Sequence, residues 1–477
     1  MNFVSRRCKR ERRQRKGCSI DGEGGSAGHA LSSAPALGFS MALSPALSAH
    51  KRGALIVGLK PVTSPAWWLD PVRATVFIVL PIFCLAAYFN RFNYADFNAS
   101  EDFLTPQTFG LGLFSMALLI LGMTVGRSLQ KRQDVVTMVD AGRAEKVLVA
   151  IGWVTIIAYA LLLGTLVTQI SLVLELIRGN AGAGSELRRV LGRIPGITSF
   201  IQFGMVYLAL LSALVAMANY RPPLRIWVMT VTILIVTLLR ALLASERLAM
   251  LEALAAMFVI PIAYWWRPSL WRGLAPLIGV ILVFVAFAAG EYFRSWQYYQ
   301  AFYDSYFAFI SQRFFGYFST SINNGAGAYI LYGQQSPVPE ITSAWVTRFP
   351  ILGQIIKPTG DLSMLDTFLL TYASPEFNNP GGFYAAYLDY TFVIASAFMV
   401  LLGLVIGGVY RSFQNKTLVG LMLYPAVFLG QTDFIRLVYV ADVRTLPVFL
   451  GVVIVNYALR PVAMPRHRLL ATIVSPR

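Results

Sequence analysis

The sequence predicts an all-α polytopic membrane protein of about ten transmembrane helices with a large outer loop between spans seven and eight. Three observations carry that class. Hydrophobic residues make up 56% of the 477-residue chain and charged ones only 13%, a balance outside the range of soluble domains. Apolar stretches of about 17 residues or more recur along most of the chain, the length needed to cross a hydrocarbon core of roughly 30 Å. In lipid the backbone must satisfy its own hydrogen bonds, so those stretches become α-helices.

Residues 1–70 are rich in Arg, Gly, Ala, Ser and Pro without periodic apolar pattern, which reads as a disordered basic cytoplasmic leader. No apolar region follows the basic run from Arg6 to Lys16 directly, so it is no convincing signal peptide, and Met41 offers a second translation start. Residues 71–460 form the transmembrane domain, with an outer loop over 291–382, and 461–477 a cytoplasmic tail. Spans are predicted near 72–89, 108–126, 147–177, 197–219, 225–243, 248–266, 273–290, 383–409, 417–430 and 445–459. The third is too long for one straight crossing and should tilt or project from the bilayer.

The net charge of +17 does not point to nucleic acid. With the amino terminus inside, 27 of the 40 basic residues fall in cytoplasmic segments, as the positive-inside rule requires, and both termini are then cytoplasmic. The remaining 13 include arginines at the outer face, where cations are normally scarce. Arg178, Arg188, Arg189, Arg193, Arg240, Arg247, Arg294, Arg313 and Arg348 all lie beside or between apolar segments. Such a concentration points to a bound anion.

Four constellations are candidates for chemistry. At the turn between spans five and six, Arg240, Glu246, Arg247 and Glu252 place charge within about a helical turn of the membrane's outer edge, where it is costly and faces a partner or polar cavity. Either the pairs neutralise one another and lock a hairpin, or the glutamates aim guanidinium groups at a phosphate. Arg188, Arg189 and Arg193 follow the glycine-rich run Gly179–Gly184, which reads as a flexible flap, or else as arginines on lipid headgroups. From Glu291 to Phe318, fourteen of 28 residues are aromatic, with Arg294 and Arg313 among them. That density suits a helix at headgroup level, and also a surface that stacks on sugars or guides a prenyl chain. Surface anchoring accounts for Arg313 and Arg348. Finally, Asn379-Pro-Gly-Gly-Phe-Tyr384 opens span eight and puts Asp389 about two turns inside it, as a functional carboxylate or one satisfied by packing.

The chain has no Gly-Lys-Ser/Thr phosphate loop or HExxH motif. Cys8 and Cys18 lie in the basic tail and Cys84 in an apolar helix, so neither a disulfide framework nor a zinc site is expected, and no cofactor.

The Arg240…Ser245-Glu246-Arg247…Glu252 hairpin, the Arg188/Arg189/Arg193 loop before Ile197–Gln202, and Asn379–Tyr384…Asp389 after a long outer loop together resemble the Wzy-type oligosaccharide repeat-unit polymerases of bacterial surface-polysaccharide pathways. The resemblance covers roughly 72–460 and rests on layout. It departs from the family where Thr391 stands after Asp389-Tyr390 and glycine is usual, while Arg193…Gly204 keeps another of its spacings. What the resemblance implies is a metal-independent inverting glycosyltransferase of the inner membrane. It would move a glycan from undecaprenyl diphosphate onto another lipid-linked repeat unit at the periplasmic face. Its partners would be that lipid-linked oligosaccharide, membrane lipids, and a chain-length regulator and flippase of the same pathway. Arg188, Arg189, Arg193, Arg240, Arg247 and Arg294 would hold diphosphate, and Asp389, Glu252 or Glu246 would serve as the catalytic or orienting carboxylate. An O-antigen-ligase-like transferase shares this layout, but such ligases resemble one another in an outer-loop histidine that this loop lacks. A flippase or transporter is the alternative outside the enzymes, though no internal repeat supports it.

Overall fold

The computed structural model describes residues 54–57, 66–98, 101–131, 135–177, 197–243, 247–264, 269–333, 339–347, 364–373 and 377–465, and they are mostly helical. Among them seven helices are long and apolar enough to cross a membrane: Pro71–Asn90, Pro106–Leu129, Ala141–Gly164, Ser199–Ala218, Leu224–Ala241, Leu270–Glu291 and Phe392–Gln414. Three shorter apolar helices, Leu248–Tyr264, Leu418–Thr432 and Thr445–Leu459, lie where spans six, nine and ten are predicted.

The first helical stretch is α1 (Pro71–Ala74), which passes through a π turn into α2 (Leu80–Asn98). Asp70 starts it by accepting the N–H groups of Val72 and Arg73, and also pairs with Arg127 at the end of α3 (Pro106–Leu129). Pro106 at the first position and Thr105 as N-cap, accepting from Thr108 at 3.2 Å, begin α3 in the same way. The predicted third span proves to be two helices, α4 (Ala141–Val167) and α5 (Ile170–Ile177), broken where the Gln169 carbonyl accepts from Leu172 and Val173. Then follow α6 (Ile197–Ile201), α7 (Phe203–Ala218), α8 (Leu224–Leu243), α9 (Arg247–Tyr264) and α10 (Leu270–Glu291). Helix α7 is buried along nearly its whole length and forms the centre of the bundle.

The predicted eighth span is also divided, into α13 (Gly382–Asp389) and α14 (Phe392–Gln414), after α11 (Tyr306–Tyr332) and α12 (Met364–Tyr372). Tyr390 is extended and Thr391 opens the new helix, so the membrane-length segment begins nine residues later than predicted. The chain closes with α15 (Leu418–Thr432) and α16 (Thr445–Leu459).

Close packing of α3 on α14 uses two facing small-residue pairs, Gly122/Gly126 and Gly403/Gly407. A Cβ on Gly122 would strike the Val400 carbonyl, and one on Gly407 the Met123 carbonyl. Backbones can approach this closely only where side chains are absent, the usual basis of helix association in lipid.

Part of the predicted leader is a strand. β1 (Ala54–Val57) pairs antiparallel with β2 (Val135–Asp140), which pairs antiparallel with β3 (Val462–Pro465). The sheet gathers segments before α1, after α3 and after α16 at one end of the bundle, here the sheet end. The predicted headgroup helix over 291–318 is likewise revised. Glu291 ends α10, and α11 starts only at Tyr306, with Tyr298, Phe302 and Phe307 outward but Phe309 and Ile310 buried. Farther along α11, the polar residues Ser319, Thr320, Ser321, Asn323 and Asn324 are buried, with Asn323 donating to the Glu101 carbonyl and Asn324 to that of Phe377.

Candidate functional site

Glu252 lies about a turn and a half from the start of α9, at the end of the bundle opposite the sheet. Its helix sorts residues by face: Ala249, Ala253 and Ala256 are buried with Glu252, whereas Leu254 and Phe258 are exposed. The carboxylate therefore points into protein rather than lipid, as its desolvation cost demands. The Tyr439 hydroxyl donates to Oε1 at 2.8 Å, and Gln202 Nε2 donates to Oε2 at 3.2 Å. Gln202 sits at the junction of α6 and α7, and Tyr439 in a short 3-10 turn between α15 and α16. Arg444 and Arg240 are the cations whose charge acts on Glu252.

Arg240, in the last turn of α8, is buried. Beside it the Tyr159 hydroxyl shares a 2.8 Å hydrogen bond with Thr237 and also feels the Arg240 charge. Tyr159, Gln202, Gly204, Thr237, Arg240 and Glu252 line a cavity about the size of one water molecule. Gly204, noted for its spacing from Arg193, packs on Thr155 here, so it serves helix contact at the cavity wall. Two arginines, one carboxylate and neutral donors converge here.

The segment 433–444 joins this cluster to the rest of that end. Asp433 pairs with Arg436 at 3.1 Å, and the Arg436 guanidinium lies 5.4 Å over the Tyr317 ring of α11. The Arg436 carbonyl accepts the N–H of Gly381, just before α13, and Asp442 accepts the N–H of Arg444 at 2.9 Å. Burial pushes the Asp433 carboxyl above the usual aspartate range, and Arg436 pulls it back. Burial and then the Glu252 charge hold the Tyr439 phenol well above its ordinary value, so it remains a donor. Sequence reasoning counted Arg436 and Arg444 among the outer cations without nominating them, named Gln202 only as the end of the Ile197–Gln202 segment, and passed over Tyr439 and Tyr159. The signal was present: Asp433, Arg436, Tyr439, Asp442 and Arg444 crowd a twelve-residue connection between two apolar helices.

Asp389 occupies a different place. It ends α13, where its carboxylate accepts from the backbone N–H groups of Glu340 (3.1 Å), Ile341 (3.0 Å) and Thr342 (2.6 Å) and from the Thr342 hydroxyl (2.7 Å). Burial raises its pKa, and these donors oppose the rise. It pins residues 340–342 onto α13, and its cavity shares no residue with that of Glu252. The start of α13 touches the 433–444 segment, and Asp389 stands at the other end, about 10 Å away by helical rise.

Arg313 is not a surface anchor. It is buried, its Nε donating to Glu291 at 2.5 Å, within rings of Tyr299, Phe309 and Phe377 whose centroids lie 5.2–5.6 Å from the guanidinium. Ser295 donates to the same Glu291 oxygen at 2.6 Å. The pair fastens α11 to the end of α10.

Of the remaining nominated residues, Arg247 opens α9 and Arg294 lies in the π turn Tyr292–Trp296, with side chains outside the described part of the structure. Arg188, Arg189, Arg193 and Glu246 lie outside the described residues, as do Arg178 and Arg348. The structure thus brings Arg240 and Glu252 together and adds Arg444. No protein-family model, curated protein or solved structure matches the chain.

Proposed function

We propose that this chain is a membrane-embedded, metal-independent inverting glycosyltransferase that lengthens glycans carried on polyprenyl diphosphate. The observation that carries the reading is Glu252, buried near the helix ends opposite the sheet, bonded by Tyr439 and Gln202 and facing Arg240 and Arg444. An acceptor sugar hydroxyl attacks the anomeric carbon of the donor glycan, and the C–O bond to diphosphate breaks. Negative charge then grows on the leaving diphosphate. Fixed guanidinium groups stabilise that charge most where water is excluded. Arg240 and Arg444, joined by Arg247, Arg188, Arg189, Arg193 and Arg294, are the candidates for this work. Glu252 accepts the acceptor's proton or orients the arginines, with Glu246 and Asp389 as the other candidate carboxylates.

On this reading the protein belongs to a bacterial inner membrane, with the sheet end cytoplasmic and the Glu252 end periplasmic. The excess of basic residues beside the sheet-end segments supports that orientation. The lipid-linked oligosaccharide is the substrate, and a chain-length regulator and a flippase of the pathway are its natural partners. The testing experiment scores glycan length in cells carrying Arg247→Ala or Arg188→Ala, with membrane insertion as the control. Single unextended repeats outside the cell support the reading, and full-length polymer from both variants overturns it. Arg247→Lys restores little extension if bidentate contact is needed. Repeats stranded inside cells lacking the protein would make it a flippase instead.

A further inference from the structure

Helix α10 stands apart from the bundle over its middle. At the sheet end, the indole N–H groups of Trp67 and Trp68 donate to the carbonyls of Gly273 (3.1 Å) and Arg272 (2.9 Å). At the other end Phe284 and Phe287 meet Phe314 of α11 edge-on, with centroids 5.2 and 5.3 Å apart. Between these ties the consecutive residues Val280, Ile281, Leu282 and Val283 are 45%, 55%, 63% and 37% exposed. Successive residues of a helix turn by about 100°, so these four sample its whole circumference. A Cβ on Gly279 would meet nothing within 4 Å. A helix that simply lines the outside buries one face, as α8 does with Ile226, Thr230 and Ile233. Helix α10 buries none here, so a gap separates it from the bundle at the depth of the hydrocarbon.

The residues α10 presents there, Val280 to Val283, are apolar, which disfavours water and favours a hydrocarbon chain. The end of the gap away from the sheet is different in kind. Phe287 lies 5.3 Å from the Tyr317 ring, and the Arg436 guanidinium sits over that same ring. Arg436 in turn belongs to the segment that carries Tyr439 and Arg444 to Glu252. The apolar gap therefore ends near guanidinium groups, Arg436 beside Asp433 and Arg444 beside Asp442, so that a hydrocarbon tail in the gap would bring an anionic head to arginines.

We propose that the gap behind α10 holds the hydrocarbon tail of a polyprenyl diphosphate, with its head directed to the arginines of the 433–444 segment. The proposal rests on the transferase reading for the identity of that lipid. The test uses the full chain in nanodiscs with two photoreactive probes, a diazirine-bearing polyprenyl diphosphate and a diazirine-bearing phosphatidylethanolamine, and adducts mapped by mass spectrometry. The prenyl probe should label residues 279–283 several-fold more than the exposed residues Val228, Val231 and Ile235 of α8, and the phospholipid probe should show no such preference. Gly279→Trp, which fills the gap, should abolish the prenyl preference in protein that remains monodisperse. Equal labelling of α8 and α10, equal preference by the phospholipid probe, or capture of α10 by a second copy would overturn the proposal. Glycan extension is read separately. Extension without the preference refutes the gap alone, and the preference without extension refutes the transferase while keeping a prenyl-lipid site.

Discussion

Glu252→Gln keeps the shape of the side chain and one acceptor oxygen, turns the other acceptor into a donor, and removes the charge facing Arg240 and Arg444. If that charge moves a proton or aims the guanidinium groups, glycan extension should fall by about 10²–10⁴-fold with the protein still folded. Undiminished extension would remove Glu252 from the site. Arg313 invites the opposite expectation, because its environment is structural. Arg313→Met leaves the Glu291 carboxylate buried without the Arg313 charge and should cost on the order of 3–5 kcal/mol in detergent melts, whereas adding Glu291→Leu should recover much of that loss. A single variant as stable as the parent would contradict the ion-pair account. At this scale the sequence made Arg240 and Glu252 legible, since both are charges too deep in apolar helices to be bland. It hid Gln202 and Tyr439, which matter through a contact between residues 187 positions apart in one case and 50 in the other.

Among the elements, the closest contact is the crossing of α3 and α14. Gly122, Gly126, Gly403 and Gly407 leave no space for a Cβ, so Gly403→Leu must push the helices apart at the Leu119 carbonyl. A loss of several kcal/mol, at least as large as common overpacking penalties of about 1–3 kcal/mol, should appear as lower yield and faster proteolysis. Unchanged behaviour would mean the helices are not packed in this way. Both glycine pairs stand at i and i+4 in the sequence and were open to reading as a pairing surface, although the sequence does not say which helix faces which. Hydrophobicity located the helices expected as spans five, six and ten to within a few residues, because length and apolar content decide those. It missed the breaks at Gln169 and Tyr390. The second is fixed where Asp389 is held by residues 340–342, nearly fifty positions earlier, and no local pattern encodes that partner.

Across the whole molecule, the three-stranded sheet constrains topology more strongly than charge counting does. Residues 54–57, 135–140 and 462–465 pair with one another, so they must share one side of the membrane. Cysteines placed at Leu55 and Ala463 should react with an impermeant maleimide only when that same side is opened, and opposite accessibility would break the fold. Removing residues 2–40 leaves β1 intact and should preserve yield, while removal through Val57 takes a strand from the sheet and should lower it. The strands escaped sequence reasoning because each has only four to six residues and finds its neighbour far along the chain. The arginine excess that first marks the protein is thereby divided. Arg240 joins Arg444 around Glu252, and Arg313 belongs to an internal clamp. The most direct test of the central claim is extension of a purified, polyprenyl-diphosphate-linked single repeat by the protein in nanodiscs, with product length resolved on a gel. The account predicts a ladder from the parent and single repeats from Arg240→Ala and Glu252→Gln. No ladder from the active-folded parent, or a full ladder from both variants, would contradict it.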